Sequence, residues 1–192
     1  YVVDPSEEQI RSYPPANDGS GFPSKASGWL STARAVDEMT SLYIDGNMFI
    51  AEGGLLERFT RGNSDGWEWE PPEDELLRKV PDVTLVTGAG DPADGTIYAY
   101  DEANGRILAF NKGSGALIAQ YRVSGTRKDW SDLRGMYVVP GTEGAPNKLV
   151  WLSAGAVHET TLVEVGGGTS DPSAEPSSDA SGDPSAEPTP EP

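Results

Sequence analysis

Residues 96–123 read TIYAYDEANGRILAFNKGSGALIAQYRV, three apolar runs separated by two turn signals. The runs are Thr96–Asp101, Arg106–Asn111 and Ala116–Val123; Asn104-Gly105 separates the first pair, and Lys112 to Gly115 the second. Asn-Gly between alternating apolar runs is the strongest short-range hairpin signal, because both turn residues must adopt positive φ. Asp82–Thr87 adds a fourth run before Gly88. The segment therefore predicts a four-stranded antiparallel meander.

That unit recurs. Tyr98, Asp101, Ile107 and Phe110 repeat, without a gap, Tyr1, Asp4, Ile10 and Tyr13, at an offset of 97. Leu56 and Phe59 supply an intermediate copy of the apolar-x-x-aromatic step, and its aromatics Tyr13, Phe59 and Phe110 are expected to be buried between sheets. Independently, Met39, Leu42 and Tyr43 match Leu133, Met136 and Tyr137 at an offset of 94. Half of either offset is a period of about 45 to 50 residues, the length of a β-propeller blade, whose sheet buries its faces only against neighbouring sheets. The expected fold class is all-β: a β-propeller of about three to four blades of four antiparallel strands, a fragment of a six-bladed or larger ring.

The other units follow the same template. Residues 1–4 and 9–13, with a run near Trp29–Val36, give a first sheet lacking its opening strand. Thr40–Asp45, Met48–Glu52 and Leu55–Thr60 give a second, its fourth run placed with the Gly66–Pro72 stretch, GWEWEPP. Gly135–Pro140, Lys148–Ala154 and Glu159–Val165 give a last sheet without its fourth strand, for a total of about 14 strands. The missing strands are the first of the first sheet and the last of the last, so strand exchange does not complete one sheet. Glu73–Lys79 and Ser27–Met39 are predicted to form at most a helical turn, being short and bordered by Pro or Gly.

Residues 1–165 are thus assigned to the partial propeller and 166–192 to a tail. The tail reads GGGTSDPSAEPSSDASGDPSAEPTPEP, with DPSAEP twice. With nothing substantial to bury, such a segment cannot offset its ordering entropy. It is expected to be a disordered Pro/Ser/acidic tail or a stalk. Its six acidic residues, removed from the 31 of the whole chain, leave 25 acidic against 14 basic residues in the remainder. That balance disfavours nucleic acid, which needs clustered Lys and Arg to displace counterions, and disfavours an anionic membrane surface. The absence of Cys excludes disulfides and thiolate metal sites. No apolar run approaches the ~20 residues that span a bilayer. The chain opens at Tyr1, inside a strand-like run. The expectation is a C-terminal piece of a larger protein, extracytoplasmic or at the cell surface, anchored by an upstream segment.

Few residues stand out chemically. His158, in AVHETTLVEV, is the one histidine, and no second His stands four residues on as in zinc proteases. Ser153 has Gly155 two residues after it but Trp151 two residues before, where a nucleophile elbow needs Gly. Gly88–Gly95, GAGDPADG, lacks the Lys-Ser/Thr of a phosphate loop, and Asp91 and Asp94 lack the remaining calcium-loop ligands. No catalytic residue, metal ligand or cofactor is assigned. Trp67 and Trp69 are the candidate binding residues: on an extended strand they share a face, and two indoles can stack on a sugar or a peptide. The competing role is packing between sheets, favoured by Trp29, which follows Gly28 at a similar place in the preceding repeat.

The segments IYAYDEANGRILAFNKGSGALIAQY and SLYIDGNMFIAEGGLLERFTRG resemble blades of bacterial NHL-like and gluconolactonase-like six-bladed β-propellers, particularly divergent C-terminal ones of large membrane-anchored proteins. The resemblance spans most of residues 1–165, and its motifs are those of a blade. It implies a noncatalytic extracytoplasmic module binding a protein, peptide or glycan, without inserting in the membrane itself. The metal-holding acid and amide residues of the gluconolactonase-like enzymes have no residue-by-residue match here. The alternative function is a metal-dependent lactonase or hydrolase, which needs acids converging from several blades; Asp45, Glu52 and Asp101 are its possible contributors.

Overall fold

The computed structural model describes residues 1–22, 25–69, 80–122, 130, 132–142, 145–153 and 155–163. The expected helical turn at 73–79 and the tail lie outside these residues. Four antiparallel sheets follow one another along the chain. The first holds β1 (Val2–Asp4), β2 (Gln9–Ser12) and β3 (Ser27–Gly28). The second holds β4 (Met39–Ile44), β5 (Met48–Glu52), β6 (Leu55–Thr60) and β7 (Asn63–Ser64). In the third are β8 (Val83–Ala89), β9 (Thr96–Asp101), β10 (Arg106–Asn111) and β11 (Leu117–Arg122). The fourth consists of β12 (Leu133–Val139), β13 (Lys148–Ser153) and β14 (Ala156–Thr161). Every sheet is a meander, with each strand paired to the one before it in the chain. Among the described residues there is no α-helix; a 3-10 turn at Pro5–Glu7 is the one helical element, and it was not foreseen.

The register reveals the repeat more sharply than the sequence does. In the last three sheets the first strand bulges at the same place: Thr40, Thr84 and Arg134 are skipped in pairing with β5, β9 and β13. A bulge twists and bends its strand and belongs to the architecture of a unit. Just beyond it, Glu52, Asp101 and Ser153 end the second strand at one common register place, which Asp4 fills in the first sheet. By that register β1, β2 and β3 correspond to second, third and fourth strands, as the sequence predicts.

The core lies between sheets. Ile10 and Val3 of the first sheet meet Met48, Ile50 and Phe59 of the second. The other face of the second sheet, with Phe49, Ala51 and Leu56, meets Ile97, Ala99, Leu108 and Phe110 of the third. The third turns Tyr98, Tyr100 and Ile107 toward Val138, Leu149 and Trp151 of the fourth. Side chains alternating along each strand thus serve two cores, which is why the central strands β5, β9 and β10 read as nearly continuous buried runs. On the first-strand side, β8 packs against both β4 and β12, and the Val86 N–H donates to Ser41 Oγ at 3.1 Å.

Several expectations are corrected. Tyr13 is half-buried, whereas its register mates Phe59 and Phe110 are buried as predicted, because among the described residues no sheet lies over its face. The third run of the first sheet is the two-residue β3, not Trp29–Val36; Leu30 is held instead by Gln9, whose Oε1 accepts from the Leu30 N–H at 2.6 Å. The fourth run of the second sheet is β7, ahead of Gly66. Gly62, at φ +81°, turns the chain straight back into pairing, and a Cβ there would stand 2.2 Å from the Trp29 carbonyl oxygen. At Asn104-Gly105 the hairpin forms as expected, with Gly105 at φ +58°.

Candidate functional site

Trp67 and Trp69 lie beyond β7 in chain that is not strand. Asp65 organises the approach: its Oδ1 accepts the Trp67 N–H at 3.1 Å, and its Oδ2 accepts Thr60 Oγ1 at 2.7 Å and Arg58 Nε at 2.9 Å. Burial, the largest influence on this carboxyl, pushes it up, but the Thr60 and Arg58 hydrogen bonds, the Trp67 N–H and the guanidinium charge together hold it below 3.8. Arg58 in turn lies over the Trp67 ring at 5.7 Å, and its Nη1 reaches the Lys112 carbonyl at 2.7 Å. The two indoles serve separate contacts. Trp67 meets Phe49 edge-on at 5.5 Å and Trp69 meets Phe110 at 5.3 Å, each remaining partly exposed. Trp29 makes the analogous contact with Phe59 at 6.4 Å. The aromatic after each of the first two sheets therefore wedges against the third strand of the next, and the Trp67 Nε1 donor is buried without a partner among the described residues.

The carboxylates considered for the lactonase alternative are each paired with a base. Asp101 is wholly buried, accepting Arg106 Nε at 2.6 Å, Asn104 Nδ2 at 2.8 Å and the Asp82 N–H at 3.0 Å. Arg106 continues to Gln120 Oε1 at 2.8 Å. Glu52 pairs with Arg34; burial pushes its carboxyl above the ordinary range against the pull of that guanidinium. Asp45 pairs with the buried Lys112 ammonium, which sits 5.3 Å from the Tyr43 ring. Burial, then the Asp45 hydrogen bond, drives the Tyr43 phenol well above its usual value. Asp45 stands at the β4–β5 turn and Glu52 at the far end of β5, so these two do not converge. No group of three or more His, Asp or Glu among the described residues is placed to hold a metal ion.

The other named residues have plain surroundings. His158 stacks on its register partner Trp151 at 5.2 Å and 19°. Ser153 is buried at the end of β13, and Asp91 Oδ1 caps its own loop through the Ala93 N–H at 2.7 Å.

A recess that the sequence did not announce lies between the third and fourth sheets, about 450 Å³ in volume. Tyr98, Tyr121 and Ile118 form one wall, and Pro146, Asn147 and Leu162 the other. Asn147 Nδ2 donates to the Tyr98 hydroxyl at 2.8 Å, joining the walls. Tyr98 belongs to the repeat read from the sequence, but its role as a wall depends on a loop 49 residues away, a separation that local patterning does not carry. In comparisons with known proteins, no family model and no curated sequence matches the chain.

Proposed function

We propose that the chain is a noncatalytic, extracytoplasmic β-propeller module of a larger bacterial protein, related to NHL-like and gluconolactonase-like propellers, that binds a protein, peptide or glycan. The observation that carries this reading is the repeated unit: the same first-strand bulge in three successive sheets, each sheet packed on the next, with first strands side by side. Radial repetition of such sheets is how propellers are built. In the first sheet the register place of a first strand is unfilled among the described residues, which supports a ring with more sheets than these four. A binding role follows from what the surface offers: partly exposed Trp67 with Arg58 over its ring, partly exposed Trp69, and the tyrosine-walled recess. Aromatic rings flanked by a cation or an amide suit the apolar faces of sugars and peptides. The paired state of Asp45, Glu52 and Asp101 weighs against the lactonase alternative.

The test is a glycan and peptide array probed with the whole chain, followed by titration of any hit against Trp69→Ala and Tyr98→Phe. Saturable binding weakened at least about tenfold, or 1.4 kcal/mol, by one of these changes is expected. Metal-dependent hydrolysis of lactones by the purified chain, with no array binding, would overturn the reading.

A further inference from the structure

The outer edge of the third sheet differs from those of the two sheets before it. β3 and β7 are two residues long, whereas β11 runs over six, and no strand lies beyond it among the described residues. A bulge leaves Ile118 out of the pairing with β10; from there 119–122 keep regular register, so a row of strand backbone lies open along this edge. The tyrosine-walled recess opens beside it. Ile118 and Tyr121, both of β11, line the recess, and its mouth is apolar, with Ile118 46% and Val163 64% exposed. No charged residue is among those that line it. A charged side chain entering there would lose water without gaining a counter-charge, whereas an apolar one would not.

The same strand carries a charge without an answer. Arg122 stands directly opposite Arg106 in the register. Arg106 is satisfied by Asp101 and Gln120, but Arg122 is exposed and has no carboxylate partner among the described residues, in a chain with 31 acidic residues against 14 basic. Like charges opposite one another on a sheet are unfavourable, and an acid on a further strand would offset this pair. We propose that β11 takes an extended peptide as an added strand, which places an apolar side chain in the recess beside Tyr121 and, on the adjacent residue, a carboxylate at Arg122. Neighbouring residues of a strand point to opposite faces, as Tyr121 and Arg122 do, so an adjacent apolar and acidic residue meet both. Main-chain pairing supplies affinity in this mode, and the two side chains supply selectivity. This rests on the binding role proposed above and narrows it to a peptide at one strand edge.

The probes are capped octapeptides, acetyl-TVTXZTVT-amide and acetyl-TVTZXTVT-amide, with X either Leu or Ser and Z either Glu or Lys; the two orders cover both strand directions. They are titrated calorimetrically into the whole chain and into Arg122→Glu and Ile118→Glu, both changes at exposed positions, with circular dichroism to check that each variant is folded. A peptide with Leu and Glu is expected to bind, and to weaken at least about tenfold when Glu becomes Lys or Leu becomes Ser. Arg122→Glu should reverse the preference to Lys, Ile118→Glu should weaken every peptide, and amide hydrogen exchange along 119–122 should slow in the complex. No binding by any of the peptides, a Glu preference that persists in Arg122→Glu, full affinity in Ile118→Glu, or unchanged exchange along β11 would each overturn the proposal. With these peptides failing, an array hit weakened by Trp69→Ala still supports the broader binding role, so the two failures are distinguishable.

Discussion

Phe59 and Phe110 show what one residue does in this architecture. Each lies on the third strand of its sheet, buried, with a tryptophan from the preceding connection against its ring. Truncating either to Ala removes a packed aromatic and is expected to cost about 3–5 kcal/mol in urea unfolding, and Tyr13→Ala markedly less because that ring is half-open. The Asp101–Arg106 pair is a second sensitive point. Arg106→Ala leaves a carboxylate buried with two neutral donors and no counter-charge, a loss of about 3–5 kcal/mol in the same assay. Asp65 makes a pH-dependent contribution. Its carboxyl is held below 3.8 in the folded state, so its stabilisation is present above that value and is lost as pH falls through the folded pKa. Asp65→Asn should therefore be less stable than wild type by about 1 kcal/mol at neutral pH, with the gap closing in acid below 3.8. A gap independent of pH would mean that the charge is not what matters.

At the scale of elements, the sheets are coupled where one lacks a side chain and the next supplies it. Gly88, near the end of β8, leaves the space that the Tyr43 ring occupies; a Cβ there would stand 2.4 Å from Tyr43 Cε1. That ring donates its hydroxyl to Asp45 Oδ2 at 3.0 Å and lies against the Lys112 ammonium. Gly88→Ala must therefore shift the tyrosine and with it the ion pair joining the second sheet to the third, at an expected cost of about 1–3 kcal/mol. Combining it with Tyr43→Phe, which removes the hydroxyl but keeps the ring, should leave that cost largely intact if ring displacement dominates. A double-mutant cycle measures this directly.

For the whole molecule, the decisive quantity is how much apolar surface each sheet hides against its neighbours. Residues 166–192 bring Gly, Pro and acid with almost nothing to bury. A chain ending at Val165 is expected to melt within about 2 °C of the full chain, the range of ordinary surface changes. A larger fall would show that the acidic segment takes part in the fold.

The sequence by itself determined the all-β character, the Asn104-Gly105 hairpin and the four-stranded meander of the third sheet, because alternation and turn chemistry are local and survive without a partner. It also marked Phe59 and Phe110 as core positions, through their recurrence. Only the tertiary structure decided where pairing ends. Outer strands β3 and β7 are two residues long, set by the Gln9 side chain and the Gly62 turn rather than by strand propensity. It likewise separated Trp67 from Trp69, giving each its own phenylalanine. The recess walled by Tyr98 and Asn147 was illegible beforehand, since it exists only where two sheets meet. A period in the sequence specifies a unit; which of its faces are buried is settled by what stacks on them.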